Sequence, residues 1–160
     1  MFYFGIALVL AALYYLATGG TVSNAVNTVT TDFNSVVNAM SIPMSALASA
    51  IQNHEGYFPG SRSYRNNNPG NLRYAGQAGT TGQDSSGFAV FATFSDGWNA
   101  LIRQIGLDQS RNPDWTLTDF LNSYAPATEN DVGAYVASVV DSLANAGYQA
   151  DSNTTLGSFA

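Results

Sequence analysis

The chain has no cysteine and no lysine, a single histidine (His54) and only two glutamates, Glu55 and Glu129. Without cysteine there is neither a disulfide framework nor a thiolate zinc site. One histidine cannot build a histidine-based metal centre. Charged residues make up 10% of the 160 residues, and five arginines stand against eleven acids for a formal charge of −6. That balance excludes a general nucleic-acid binder, which needs clustered positive charge against phosphate. It equally excludes a freely diffusing protein drawn by its charge to an anionic cell wall. The surface must therefore be built mostly from Asn, Ser, Thr, Gln and Gly.

What is present falls into three parts. Residues 1–20 open with FYFGIALVLAALYYLA from Phe2 to Ala17, sixteen residues without a charge. As a helix this run spans about 24 Å, and Thr18, Gly19 and Gly20 extend it toward a hydrocarbon core of ~30 Å. No Lys or Arg precedes it and no A-x-A-like site closes it, so it reads as a transmembrane anchor rather than a cleaved signal peptide. Residues 21–41 have the composition of a polar linker. Yet Val22, Val26, Val29, Phe33, Val36 and Met40 recur at alternating spacings of four and three. That is an amphipathic stalk, with self-association as the alternative.

Residues 42–150 read as one globular domain, mainly α with a small β-hairpin, an α+β class, followed by a polar tail over 151–160. The first helix is expected from a cap at Ser41, with Pro43 in its first turn, to Glu55, where Gly56 ends it. A loop through Gly70 precedes two strand candidates, 71–75 and 87–94, separated by the turn-rich GQAGTTGQDSS. Ser95 then caps a helix to about Leu107, Thr116 or Thr118 opens a short helix ending before Pro126, and a last helix covers about 131–144.

Leu47, Ile51 and Glu55 are spaced four apart, so they share one helix face. Glu55 thus continues an apolar stripe at the negative end of the helix dipole. Lost hydration and that dipole both disfavour a carboxylate, which suits a general acid. The alternative is a carboxylate held by backbone N–H groups or paired with Arg62, Arg65 or Arg73. The segment that follows, GYFPGSRSYRNNNPGNLRY, combines turn formers with Asn66, Asn67, Asn68 and Asn71, whose amides both donate and accept. With Tyr57, Tyr64 and Tyr74 they suit a neutral, polyhydroxylated ligand carrying acetamido groups. Alternatively they satisfy their own loop's backbone. His54 points about 100° away from Glu55 and reads as a neighbour. Trp98 lies on a core stripe, while Trp115 is open to either role.

Three stretches, HEGYFPGSRSYRNNNPGNLRYAG, FAVFATFSDGWNALIRQI and LTDFLNSYAPATENDVGAYVASVV, occur in an order that resembles the lysozyme-like lytic transglycosylase domains of phage virion proteins. The likeness covers about residues 42–148. It is specific as a set of motifs, each weak alone. An apolar segment ahead of such a domain is similar to muralytic proteins of membrane-containing phages. The resemblance implies that Glu55 is the catalytic acid/base and that Asn68, Asn71, Tyr124 and Tyr135 line the glycan cleft or support Glu55. It implies a peptidoglycan-cleaving enzyme needing no metal or other cofactor, and local opening of the bacterial wall during phage entry. Its partners would be glycan strands, a lipid membrane and other virion proteins, with no nucleic acid. Its place would be the virion membrane, crossed once, or alternatively a bacterial inner membrane with a periplasmic domain. No second carboxylate of a two-acid glycosidase is evident, Asp84, Asp96 and Glu129 being the candidates. A hydrolytic muramidase and a non-catalytic virion protein that keeps the fold are the alternatives.

Overall fold

The computed structural model describes residues 13, 14, 18, 19, 21–24, 26, 27, 30, 41–125 and 131–160. The chain divides into two units, Met1–Ser41 and Ile42–Ala160. Most of the expected anchor over 1–20 and most of the stalk lie outside the described residues, as does Glu129. Of the stalk's apolar positions, Val22 and Val26 are described and both are exposed. Among the described residues no helix is long and apolar enough to cross a membrane.

The second unit is mainly helical with one two-stranded antiparallel sheet. Its elements are α1 (Met44–His54), α2 (Arg62–Arg65), β1 (Thr80–Gln83), β2 (Ala89–Phe91), α3 (Phe94–Arg111), α4 (Leu117–Tyr124) and α5 (Val132–Asn145), then a 3-10 turn at Leu156–Ser158. Leu47, Ala48, Ala50 and Ile51 bury one face of α1, which packs on α3 and α5, while α4 packs on α5. Leu101, Ile105, Phe120, Leu121, Tyr135, Val139 and Leu143 complete that core. Full burial of such side chains stabilises by about 1.5–3 kcal/mol each. A smaller cluster of Leu72, Ala89, Phe91 and Ala100 lies under the hairpin, and Tyr124 packs against both clusters.

Several local expectations need correction. Ser41 does not cap α1; Pro43 holds the cap position without a side-chain bond, and the Met44 N–H donates instead to the Ala160 carbonyl at 2.9 Å. Residues 151–160 are therefore more than a polar tail. Leu156 and Phe159 are buried in the main core, and Phe159 bridges Ile42 in parallel. The cap of α3 is Thr93 rather than Ser95, in a reciprocal box with Asp96, and α3 runs on to Arg111. The first strand lies at Thr80–Gln83, inside the stretch read as turn, whereas 71–75 contributes only a bridge from Arg73 to Phe88. Thr80 and Thr81 supply β-branched residues, and the irregular register between Thr80 and Gly82 is where a bulge tolerates glycine. The loop before the hairpin also contains α2, capped by Ser61.

Two glycines set how closely α3 approaches the Asn-rich loop. A Cβ at Gly97 would lie 1.8 Å from the Asn67 carbonyl oxygen, and one at Gly70 would lie 2.7 Å from Leu101 Cδ1. The first neighbour is main chain and cannot turn aside. Gly97→Ala is therefore expected to destabilise the domain by about 3 kcal/mol or more, the upper end for overpacking. Gly106→Ala, on the same helix, meets only Met44 at 3.8 Å and should stabilise by up to about 1 kcal/mol through helix propensity. Denaturant unfolding of both variants checks the pair, and equal stabilities would contradict the close approach.

Candidate active site

Glu55 is the residue at which α1 ends. Its backbone is still helical, and Gly56 follows with φ +65°, the left-handed conformation that glycine adopts without strain. The carboxyl group is half-buried and faces a cleft of about 880 Å³. Arg62, Gly70, Asn71, Phe88, Asp108 and Tyr124 are among the other residues lining that cleft.

Two neutral donors hold the carboxyl group. Tyr135 Oη donates to Oε1 at 2.8 Å, and Asn71 Nδ2 donates to Oε2 at 3.0 Å. Asn71 sits at φ +49°, a region in which asparagine is enriched among non-glycine residues. Its amide has a defined sense, because Arg62 Nε donates to Asn71 Oδ1 at 3.3 Å. Arginine thus reaches Glu55 through an asparagine rather than directly. Each carboxyl oxygen retains a further lone-pair site, so one remains for a ligand in the cleft. Among the described residues no group of three or more histidine, aspartate or glutamate side chains converges as a metal site would require.

Tyr135 is buried behind the carboxyl group and stacks on His54, with ring centroids 3.6 Å apart and planes 17° from parallel. Burial chiefly, and then the negative charge of Glu55, push the Tyr135 phenol far above its usual range. It remains a proton donor at any working pH. His54 is half-buried, and burial holds its imidazole below the ordinary value, partly offset by Glu55.

The four residues singled out beside Glu55 have different places. Asn71 lines the cleft and touches the carboxyl group. Tyr135 touches it from behind. Tyr124 lines the cleft, but its hydroxyl donates to the Gly70 carbonyl at 2.5 Å, which positions the loop. Asn68 is fully buried. Its Nδ2 donates to the Leu72 and Ala89 carbonyls and its Oδ1 accepts from the Leu72 N–H, so it holds the hairpin and does not reach a ligand. Asn66 and Asn67 do similar work, donating to Asp84 and to the Phe91 and Ala92 carbonyls.

Of the alternative carboxylates, Asp96 is committed to the α3 cap. Asp84 organises the hairpin tip, held below the usual carboxylate range first by Asn66 and then by the Phe88 N–H. Asp108 is the acid that sequence reading missed. It lines the cleft with Glu55 and accepts from Gln104 Nε2 at 2.8 Å. The available signal was the spacing Leu101–Gln104–Asp108, which continues a buried stripe with polar residues as Leu47–Ile51–Glu55 does. Trp98 and Trp115 both pack against the core as half-buried residues.

No protein-family model matches the chain, and comparison with curated proteins and with solved structures finds no match to it.

Tyr135→Phe would preserve the ring stack and remove one donor. The variant is expected to lose about 1–3 kcal/mol of stability, the usual cost of leaving a partly buried acceptor without its donor. Chemical unfolding measures this, and unchanged stability would mean that the bond carries nothing. A second expectation concerns pH. The folded protein binds a proton at His54 less readily than the unfolded chain does. The contribution is therefore complete above the ordinary value of 6.5 and declines as pH falls below it. Wild type should lose more Tm between about pH 7 and about pH 5 than His54→Phe, which keeps a ring on Tyr135 and cannot titrate. Parallel melting curves would reveal no difference if His54 were indifferent to protonation.

Proposed function

We propose that the protein is a peptidoglycan lytic transglycosylase in which Glu55 is the single catalytic acid and base. The observation that carries this reading is the Glu55 carboxyl group, held at the wall of a polar cleft by two neutral donors. The resemblance of the flanking motifs to phage transglycosylase domains supports the substrate class. In the proposed reaction Glu55 gives its proton to the glycosidic oxygen as the C1–O bond breaks. The substrate's own acetamido group stabilises the anomeric carbon. The carboxylate then takes the proton from the sugar's 6-hydroxyl, whose oxygen bonds to C1 and closes an anhydro ring. Proton and bond counts balance without water, metal or redox cofactor. Tyr135 and Asn71 keep the carboxyl group in one orientation through both proton transfers, the kind of preorganisation that shortens the path to the transition state. The reading extends to a protein carried on a virion membrane that opens the wall locally during phage entry, with the apolar run over residues 1–20 as its anchor.

A second reading has a specific observation in its favour. Asp108 shares the cleft with Glu55, and a hydrolytic muramidase would use such a second carboxylate to activate water or to trap the sugar. Digestion of cell walls followed by mass spectrometry of the muropeptides distinguishes the two. The transglycosylase is expected to leave 1,6-anhydro-N-acetylmuramic ends, and Asp108→Asn should cost far less than Glu55→Gln. Reducing muramic ends together with a collapse at Asp108→Asn would establish the hydrolase. In either case Glu55→Gln should abolish clearing in a zymogram while the protein stays folded. It should cost about 1 kcal/mol, since glutamine replaces one acceptor by a donor. A wild type without clearing would leave a structural virion protein.

A further inference from the structure

Tyr57, Phe58, Tyr64 and Phe94 form a surface that does not line the Glu55 cleft. The Tyr57 ring lies 5.2 Å from that of Tyr64 and 5.2 Å from that of Phe94, centroid to centroid. Phe58 adjoins this row at the start of a turn closed by the Ser61 N–H, which donates to the Phe58 carbonyl at 2.9 Å. Pro59 and Gly60, the latter at φ +93°, take the central places, as a type II turn favours. A Cβ at Gly60 would meet nothing within 4 Å, so the turn projects into open space. Phe58 is 61% exposed, Tyr64 44% and Phe94 41%. Single exposed apolar residues need no explanation, whereas a contiguous group of them marks a surface that binds something.

The charge around the row is opposite to that of the chain. Residues 56–83 hold three of the five arginines and no acid, against −6 for the whole. Arg65 Nη1 donates to the Gly60 carbonyl, which sets its guanidinium beside the turn on a partner that carries no charge. Nearby acids are committed elsewhere. Asp84, whose charge reaches Arg62, accepts from Asn66 and from the Ser86 and Phe88 N–H groups, and Asp96 closes the α3 cap. A projecting phenyl ring, flanking tyrosines and an arginine suit a lipid interface. The phenyl enters the headgroup–acyl boundary, the tyrosines keep their hydroxyls at headgroup level, and the guanidinium meets phosphate. Small-ligand sites are concave, and Phe58 instead stands on a projecting turn. The net negative charge of the chain opposes an anionic leaflet, but salt confines that repulsion to ~10 Å. At contact the local arginines therefore decide. We propose that this turn and its ring row dock on an anionic lipid surface. The contact is made by the globular unit, separately from the apolar run over residues 1–20, and does not depend on the reaction assigned to the cleft.

Phe58→Trp in the full chain places a reporter at the turn, read against wild type, whose Trp98 and Trp115 are half-buried. On vesicles of phosphatidylethanolamine and phosphatidylglycerol with brominated acyl chains, the added emission should be lost. On brominated phosphatidylcholine vesicles it should largely persist. Arg65→Gln should lower the ratio of docked to free turn about fivefold, the ~1 kcal/mol of one basic residue at such a surface, while Arg65→Lys should keep most of it. Whatever residues 1–20 contribute is common to every variant, so the differences belong to the turn. Because Arg65 also holds the turn, a salt titration of the Phe58→Trp protein repeats the question without touching it, and added salt should restore the emission. Unquenched emission on the anionic vesicles overturns the proposal, as does quenching that ignores both lipid charge and Arg65→Gln. A blue shift with chito-oligosaccharide in place of quenching by lipid overturns it too, and would make the row a sugar platform.

Discussion

The side-chain amide of Asn68 bonds only to main chain, to the N–H and carbonyl of Leu72 and to the carbonyl of Ala89. It is completely buried, so losing any of these bonds would strand a polar group with no water to replace them. That amide joins the Asn-rich loop to the hairpin. Asn66 and Asn67 extend the joint to the hairpin tip and to the end of β2. On the far side, Gly97 lets α3 come against the Asn67 carbonyl. The segment between α1 and α3 is in this way located by short-range polar geometry, with only a small apolar cluster beneath it. Asn71 follows the joint directly, and its amide meets Glu55 only because the preceding residues are so located.

Glu55 itself is assembled from three distant stretches. α1 brings the carboxyl group to its own end, the loop supplies Asn71, and α5 supplies Tyr135. Neither donor is charged, so the group is oriented by hydrogen bonds rather than by a direct ion pair. Aromatic packing completes the arrangement. Tyr135 is held between the core and the face of His54, and its hydroxyl has little freedom to leave. The polar chain from Arg62 through Asn71 to Glu55 connects the cationic side of the cleft to the acid on its wall.

Much of this was legible, and the exceptions have physical causes. The Leu47–Ile51–Glu55 spacing placed the acid correctly, because period alone determines the face of a helix. The spacing of three and then four in Leu101–Gln104–Asp108 also follows one helix face and placed a second acid on the cleft, and it went unread because glutamine and aspartate look like an ordinary solvated face. Four nearby asparagines could not be sorted into joint and site by composition, since an amide's partner depends on tertiary geometry. The hairpin was anticipated, but its first strand was displaced toward the glycines, which strand propensity undervalues at a bulge. The cap of α1 was beyond local reading altogether, because the group that satisfies Met44 N–H comes from Ala160.

That long-range cap has a consequence for the order in which the domain is completed. Ile42 and Met44 bond to Ser158 and Ala160 across nearly the whole unit, and contacts so separated are slow to form because loop closure must precede their reward. A chain emerging from the ribosome can coil α1 early, but it cannot seal the start of that helix until residues 156–160 are free. The helix that bears Glu55 is thereby finished last. During translation, the start of α1 would be the final part of the domain to become rigid.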